Sequence, residues 1–484
     1  MKTNIAPVVP FNEGNPQLHL PGVYGASPGK PFLYRIPVTG EPPILFELLS
    51  GLPNGLSLEK SNGIISGTAP SEGLYSVGIR VKNSLGHDEK KLKLRISADG
   101  LCRTPLLGWT SWNAFRANVT QADILRTAEL LMEKGLAAYG YQYVNIDSGW
   151  QGEYGGIHNA ILPNHRFPDM KALADGVHGM GLKLGIYSTP MLKAWGGGTF
   201  PGCTEGKLDK AFADAYYGIG TDHREGNNVR QWEEWGIDYL KYDWAPCDVQ
   251  NASLMKNCLL ACNRDVAFCV TVAAGIENAE YWSTHCCSWR DNGDSDDVWA
   301  NVKSRFLTDR WAAYCGPGHF FDLDMLEIGH FDGHRCRLTQ DEQLLAFTIR
   351  ALFPSPIQIS CDLEKLTDFE LAMLCNDEVL AVNQDALGSG AICISESVSR
   401  NLDRSEHSET KIYARPLEDN SYAVGFFNLG ETEAGMTLPL SPGAKVRDLW
   451  ARQDISDAFD GLALVLAPHT TRLFKVNGSI APSH

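Results

Sequence analysis

Lys241-Tyr-Asp243 and Arg290-Asp-Asn-Gly-Asp294 are the two stretches whose residue types and spacing could do chemistry. The first closes the run Ile237-Asp-Tyr-Leu-Lys-Tyr-Asp-Trp244, which is apolar or aromatic at Ile237, Tyr239, Leu240 and Tyr242 and ends in charge, as a short buried strand would. Side chains on a strand alternate between faces, so Lys241 and Asp243 point the same way, together with Tyr239. An ammonium beside a carboxylate lowers its pKa, and an ionised, partly desolvated Asp is what a nucleophile or an electrostatic stabiliser needs. A structural ion pair at a strand end has the same local pattern. The second stretch, Ser288-Trp-Arg-Asp-Asn-Gly-Asp-Ser-Asp-Asp297, carries four carboxylates. Crowding of like charge is expected to raise at least one of their pKa values, as a proton donor near neutrality requires. A calcium loop fails, because Gly293 stands where a ligand should be and the closing Glu is missing. Ser295, Asp296 and Asp297 suit a solvated helix start ahead of Val298 and Trp299, whereas Asp294, behind a Gly and close to Arg290, suits chemistry better.

The elements that must position these groups are strands alternating with helices. Apolar runs fall at 106–109, 141–146, 183–187, 237–242, 266–272, 286–289, 319–323 and 356–360. Amphipathic segments lie between them: Thr120-Gln-Ala-Asp123 and Thr339-Gln-Asp-Glu342 read as capping boxes, Pro168-Asp-Met170 opens a further helix and Asn228-Val-Arg-Gln-Trp232 another. Eight such units in a little under 300 residues predict a (β/α)8 TIM barrel. Run after run ends in a reactive or aromatic type: Trp112, Asp147, Tyr187, Asp243, Arg290 with Asp294, and Asp324. In this fold the C-terminal strand ends converge on one mouth, which brings the scattered carboxylates together. Two Asp at one mouth are the equipment for cleaving a glycosidic bond.

A 484-residue chain calls for more than one core. Residues 1–100 hold short alternating segments broken by Pro-Gly and Asn-Gly, which predict a small antiparallel sandwich; Gly51-Leu-Pro-Asn-Gly-Leu-Ser-Leu58 and Asn62-Gly-Ile-Ile-Ser-Gly-Thr68 resemble Ig-like modules. Residues 101–388 form the barrel, and 389–484 return to short strands of a C-terminal antiparallel β-domain. The chain is thus multidomain α/β, with catalytic groups only in its middle part. A net charge of -16 argues against nucleic acid as a partner, and no apolar run is long enough to insert in a membrane. The thirteen cysteines are scattered without a CxxC pair, so most read as reduced core residues, Cys286 and Cys287 among them on opposite faces of a strand. No metal, nucleotide or flavin motif is present, so no cofactor is expected. No h-region follows Lys2, so no signal peptide is expected and the chain is read as cytoplasmic or as the mature form of an exported protein.

Taken in order, Leu107-Gly-Trp-Thr-Ser-Trp-Asn113, Asn145-Ile-Asp-Ser-Gly-Trp150, Gly181-Leu-Lys-Leu-Gly-Ile-Tyr187, Leu240-Lys-Tyr-Asp243, Trp289-Arg290, Gly316-Pro-Gly318, Asp324-Met-Leu326 and Val382-Asn-Gln-Asp385 resemble glycoside hydrolase family 27, the α-galactosidase and α-N-acetylgalactosaminidase group. The resemblance implies a retaining double displacement on a terminal galactose-like sugar of an oligosaccharide or polysaccharide. Asp243 is then the nucleophile and Asp294 the acid/base, with carboxyl groups ~5–5.5 Å apart. It also implies that Lys241, Arg290, Asp147 and Asp324 hold sugar hydroxyls, that Trp112 packs on the pyranose face and that Tyr187 lines the pocket. This sequence departs from the family at Ser148, where a second Asp is usual, and in the loops 188–198 and 273–277. An α-N-acetylgalactosaminide or a β-L-arabinopyranoside is therefore an alternative substrate, and a non-catalytic carbohydrate-binding protein is a second alternative. The resemblance also suggests a disulfide between the loops after the third and fourth strands, for which Cys203 and Cys247 are the candidates.

Overall fold

The computed structural model describes residues 3–307, 309–400, 407–456 and 461–480. Its centre is a parallel eight-stranded sheet: β1 (Leu107–Thr110), β2 (Tyr143–Asn145), β3 (Lys183–Ser188), β4 (Tyr239–Asp243), β5 (Ala267–Thr271), β6 (Ser288–Trp289), β7 (Phe320–Phe321) and β8 (Ile357–Ile359). From β1 to β7 each strand pairs with the next in the chain, and β8 pairs with β1. Beyond β7 the chain reaches β8 as well, through a parallel bridge between Leu326 and Ile359 in which the Leu326 N–H donates to the Gln358 carbonyl at 2.8 Å. All eight apolar runs became strands because each is buried on both faces, as a parallel sheet demands.

The helices start where their side chains can cap them. Thr120 and Asp123 exchange capping bonds at the head of Gln121–Glu133, and Thr339 with Glu342 does the same for Gln340–Leu352. Each cap is worth about 1 kcal/mol. Asp169 caps Met170–Gly179. The helix Glu225–Trp235 begins three residues before the pattern at Asn228 suggests. Between β6 and β7 the described residues hold only the short helix Trp299–Ser304 and two 3-10 turns.

Residues 17–96 form two facing sheets, one built on Gly73–Lys82 and His87–Ile96 and the other on Pro31–Arg35 and Ile64–Thr68, with a two-stranded pair of Gln17–Leu18 and Val38–Thr39 beside them. Phe32, Tyr34, Ile65, Val77, Ile79, Leu92 and Leu94 fill the space between. One pairing departs from the antiparallel expectation: Tyr24–Ala26 runs parallel to Leu94–Ile96. This sandwich sits on the N-terminal end of the barrel. Ser27 N–H donates to Asp265 just before β5 (2.7 Å), Arg35 reaches the Met180 carbonyl before β3 (3.0 Å), and Gln142 before β2 donates to the Arg35 carbonyl (2.7 Å). It therefore stands at the end of the strands opposite to Asp243.

The C-terminal part is a six-stranded antiparallel sheet with a two-stranded partner, packed around Ile412, Val424, Phe426, Met436, Val446 and Phe474. It covers the outer side of Gln340–Leu352, where Trp450 donates to Thr348 (3.0 Å) and Arg415 to the Ala351 carbonyl (2.7 Å). That helix is consequently buried on every side.

Candidate active site

The alternation of β4 divides its side chains between two environments. Leu240 and Tyr242 point outward into the helix layer, where the Tyr242 hydroxyl meets Glu225 at 3.3 Å. Tyr239, Lys241 and Asp243 line the barrel interior. Tyr239 belongs to its floor, beside Tyr143, Cys269 and Cys287, and Lys241 and Asp243 belong to its mouth. Asn145 and Gln358, bonded at 3.0 Å, lie between the two levels.

At the mouth the direct partner of Lys241 is not Asp243 but Asp147, which follows β2, at 2.8 Å. Asp147 is itself fixed: its N–H donates to Ser111 Oγ (2.9 Å), and its carboxylate accepts from the Ser148 N–H (2.7 Å). Burial alone would lower the Lys241 pKa, but Asp147 and Asp243 raise it, so the ammonium stays charged. Asp243 keeps a buried Oδ1 without a hydrogen-bond partner. Its pKa is pushed up to about 6, by burial first; Lys241 and Arg290 oppose the shift and Asp147 and Asp294 add to it. The expectation that Lys241 holds this carboxyl low is thus corrected. Desolvation of a fully enclosed carboxylate outweighs a cation whose hydrogen bond goes elsewhere.

Arg290, only 2% exposed, follows β6 and joins two acids: it pairs with Asp294 at 2.8 Å and with Asp324. Burial would raise the Asp324 pKa, yet Arg290, Arg305 and Lys241 together bring it well below the ordinary carboxylate range. Asp324 adopts φ +69°, a left-handed conformation that costs a non-glycine residue about 1–2 kcal/mol. The surroundings over-determine it. Arg350 donates to the carbonyls of Leu323, Asp324 and Met325 (3.0, 3.2 and 2.9 Å), and Ser295 N–H donates to the Asp324 carboxylate (2.7 Å).

The acidic stretch after β6 does not act as one cluster. Asp291 pairs with Arg310, Asp294 with Arg290, and Asp296 and Asp297 with Arg337. Each charge has an arginine partner, Asp296 and Asp297 sharing theirs, so the repulsion expected from spacing along the chain is dispersed. Nor are Asp296 and Asp297 a solvated helix start. Val298 is the N-cap, and Asp297 is buried against His334 (3.1 Å) and the Arg337 N–H (2.7 Å). Burial would raise Asp297, but the Arg337 hydrogen bonds dominate and set its pKa at about 2. Asp294 itself stands out at the rim with its side chain 80% exposed, on a loop held by Arg305 donating to the Gly293 carbonyl (3.0 Å).

Aromatic groups complete the mouth. Tyr187, at the end of β3, is fully buried; burial, Asp243 and Asp147 keep its phenol neutral, and the Lys241 ammonium lies 5.7 Å from its ring centre. Trp112 opens the short helix Trp112–Phe115 half-buried, with the Arg116 guanidinium 5.3 Å from its ring centre. Ser148 is brought to the mouth but turned aside, for its hydroxyl donates to the Trp195 carbonyl on the loop after β3. The two loop cysteines are free thiols. Cys203 contacts Ser188 (3.0 Å) and Asn228 (3.3 Å), and Cys247 donates to the Val272 carbonyl (2.8 Å), so the suggested disulfide is not formed.

Two acids of this region were missed by the sequence reading. Asp322 is buried, accepts from the Asp324 N–H (2.8 Å), and is raised to about 6 by burial and by Asp324. Its signal was the Asp322-Leu-Asp324 alternation after an apolar run. Glu327 is raised well above the carboxylate range by burial and Asp324, and both its oxygens lie 2.8 Å from the Asn113 amide nitrogen. Asn113 also donates its N–H to Ser360 (3.0 Å), so these bonds set the helix that carries Trp112.

Residues 104–385 match the family model described as alpha galactosidase A, 407–476 the alpha galactosidase C-terminal beta sandwich domain, and 16–97 an Ig domain. An alpha-galactosidase of Oryza sativa subsp. japonica is 34% identical over 402 residues, which are 80% of this chain and 87% of that protein. A crystal structure from Bacteroides fragilis superposes with a TM-score of 0.85 at 28% identity, covering 97% of this chain and 99% of that one. The Saccharomyces cerevisiae α-galactosidase solved with raffinose, 20% identical, shares the fold over 79% of this chain and 99% of its own, with a TM-score of 0.65.

Proposed function

The chain belongs to the α-galactosidase family and is a glycosidase, and from that premise we propose that it releases terminal α-galactosyl units with retention of configuration, using Asp243 as nucleophile and Asp294 as acid/base. The observation that carries the assignment is Asp243 Oδ1, buried and unpartnered at the end of β4 between the Lys241–Asp147 and Arg290–Asp324 pairs. Asp147, Asp294 and Asp324 are each paired with a cation, so this oxygen is the one left to attack.

In the first step ionised Asp243 attacks the anomeric carbon as the glycosidic bond breaks, and protonated Asp294 gives its proton to the departing oxygen. In the second, Asp294 removes a proton from water, the water attacks the same carbon, and the ester to Asp243 breaks. In the free enzyme Arg290 holds Asp294 in an ion pair at an open rim. A leaving group that covers this rim displaces water from Asp294 and brings the glycosidic oxygen within reach of its carboxyl. Asp147, Lys241, Arg290 and Asp324 present charged partners to the ring hydroxyls, Trp112 a flat apolar face and Tyr187 a neutral wall.

Retention is tested by following the anomer first released from an aryl α-galactoside by proton NMR: α-galactose is expected, and β-galactose would overturn the mechanism. Azide assigns the acids. It should rescue Asp243→Ala as the β-galactosyl azide and Asp294→Ala as the α-galactosyl azide; the opposite products would exchange the roles.

One observation favours a second reading of the sugar. The Ser148 hydroxyl is committed to Trp195, which leaves that side of the pocket with one carboxylate, Asp147. A ring with galactose stereochemistry but no hydroxymethyl group, a β-L-arabinopyranoside, asks less of that side. Comparing kcat/KM for the two aryl glycosides decides between them.

A further inference from the structure

The chain between β3 and the helix Glu225–Trp235 is long and ordered, with no helix beyond the single 3-10 turn Lys210–Phe212 among its described residues, an arrangement that in compact domains usually carries function. It folds over the mouth as the hairpin Thr204–Leu208 with Gly220–His223, closed by bridges from Met191 to Ile219 and from Lys193 to Pro201. At its tip three aromatic rings meet: Trp195 and Tyr216 with centres 4.4 Å apart, Trp195 and Tyr217 at 5.3 Å, and Tyr216 and Tyr217 at 4.8 Å. Tyr216 is 66% exposed, and it rests on Trp195 and Tyr217, which are half-buried against the barrel core. One open ring backed by two half-buried ones presents a flat aromatic face at the surface.

Three hydrogen bonds tie this group to the strand ends of the candidate site. The Trp195 N–H donates to the Tyr187 hydroxyl (3.3 Å), the Trp195 carbonyl accepts from Ser148, and the Tyr216 N–H donates to the carbonyl of Ala245 (3.2 Å), two residues beyond Asp243. The rings are therefore held at the rim of the same mouth, fixed to β2, β3 and β4.

We propose that Trp195, Tyr216 and Tyr217 form a stacking subsite for a sugar ring on the leaving-group side of the scissile bond. The assignment rests on the α-galactosidase reading and extends it, because it makes an oligosaccharide the preferred substrate class. The chemistry that recognises a sugar's C–H face is an exposed aromatic plane, and this rim offers one in continuity with the pocket. No carboxylate or cation is needed there, which is consistent with specificity for the terminal sugar residing deeper.

The test compares raffinose, whose leaving group is a disaccharide, with α-galactosyl fluoride, whose leaving group is a single atom. In Tyr216→Ala the ratio of kcat/KM on raffinose to that on the fluoride is expected to fall about tenfold. Tyr216→Phe, which keeps the ring, should restore it. An unchanged ratio in Tyr216→Ala, or a loss that Tyr216→Phe shares, overturns the subsite. A wild-type enzyme that hydrolyses neither compound would refute the α-galactosidase reading instead. In that case calorimetry of raffinose and galactose binding decides the subsite: tighter binding of raffinose that Tyr216→Ala abolishes supports it, and equal affinities reject it.

Discussion

Asp238, just before β4, and Asp243, its last residue, are each 6% exposed and five positions apart, yet the protein treats them oppositely. Asp238 is closed in by His178 (2.8 Å), by the Leu184 N–H (3.0 Å) and by Arg264 at 2.5 Å. Burial pushes its pKa up, but His178 and Arg264 override it and the carboxyl titrates below its ordinary value. Asp243 has the same burial and two cations nearby, and it titrates at about 6, because those cations hold Asp147 and Asp324 and leave one of its oxygens bare. Burial of charge therefore does not distinguish a site from a structural network. What distinguishes it is whether the partners are spent on the charge itself. The floor is saturated and the mouth is not, as expected of the two ends of this fold.

Exchanging the two acids for amides should separate the ends by the largest effect available. Asp243→Asn is expected to lower kcat on the order of 10⁴-fold, whereas Asp238→Asn should leave kcat within a few-fold of wild type. In the wild type, kcat/KM should rise with pH through an acid limb near 6 as Asp243 ionises. Steady-state rates of both variants and one pH profile suffice. Comparable losses in both variants would erase the distinction.

Stability should move the other way and by less. Asp238→Asn leaves Arg264 and His178 facing an amide and is expected to cost about 3–5 kcal/mol. Because the folded pKa of Asp238 is lowered, its contribution is present above the unfolded value of 3.8 and lost as the pH falls through the folded one. The deficit of Asp238→Asn should shrink in acid. Asp243 has the opposite sign. Its folded pKa of about 6 exceeds the unfolded 3.8, so the stability it contributes when protonated is lost as pH rises between those values. Asp243→Asn should accordingly be more stable than wild type at pH 7 by up to about 3 kcal/mol, with the advantage gone near pH 4. Denaturant midpoints of the three proteins at both pH values check the sign of each.

The fold was legible because burial on both faces leaves a nearly continuous apolar run, and all eight runs are found in the barrel. The faces of β4 were legible too, since alternation is local. Partnership was not. Lys241 meets Asp147 across an intervening strand, and nothing in Leu240-Lys-Tyr-Asp243 specifies that neighbour. The acids after Arg290 were misread for the same reason: Arg310 and Arg337, which separate them, come later in the chain. Glu327 escaped notice because its partner Asn113 is more than two hundred positions away. The motif resemblance named the residues of the mouth, but the sign of the Asp243 shift follows from three-dimensional desolvation, which no spacing encodes.

Ser148 gives the finest test of the contrast, because it lies at the mouth yet is bonded like a floor residue. Its hydroxyl faces the Trp195 carbonyl, so Ser148→Ala removes one hydrogen bond that seats the loop, worth about 1 kcal/mol. KM for an aryl α-galactoside should rise a few-fold with kcat nearly unchanged, and cleavage by a protease at Gly196-Gly-Gly198 should quicken. Were the hydroxyl instead a partner of the sugar's hydroxymethyl group, Ser148→Ala would weaken kcat/KM for the galactoside and spare the β-L-arabinopyranoside, which lacks that group. A loss shared equally by both sugars and accompanied by faster proteolysis places Ser148 with Asp238, as a polar residue spent on the protein. A loss confined to the galactoside places it with Asp243, among the groups the fold leaves free to meet a substrate.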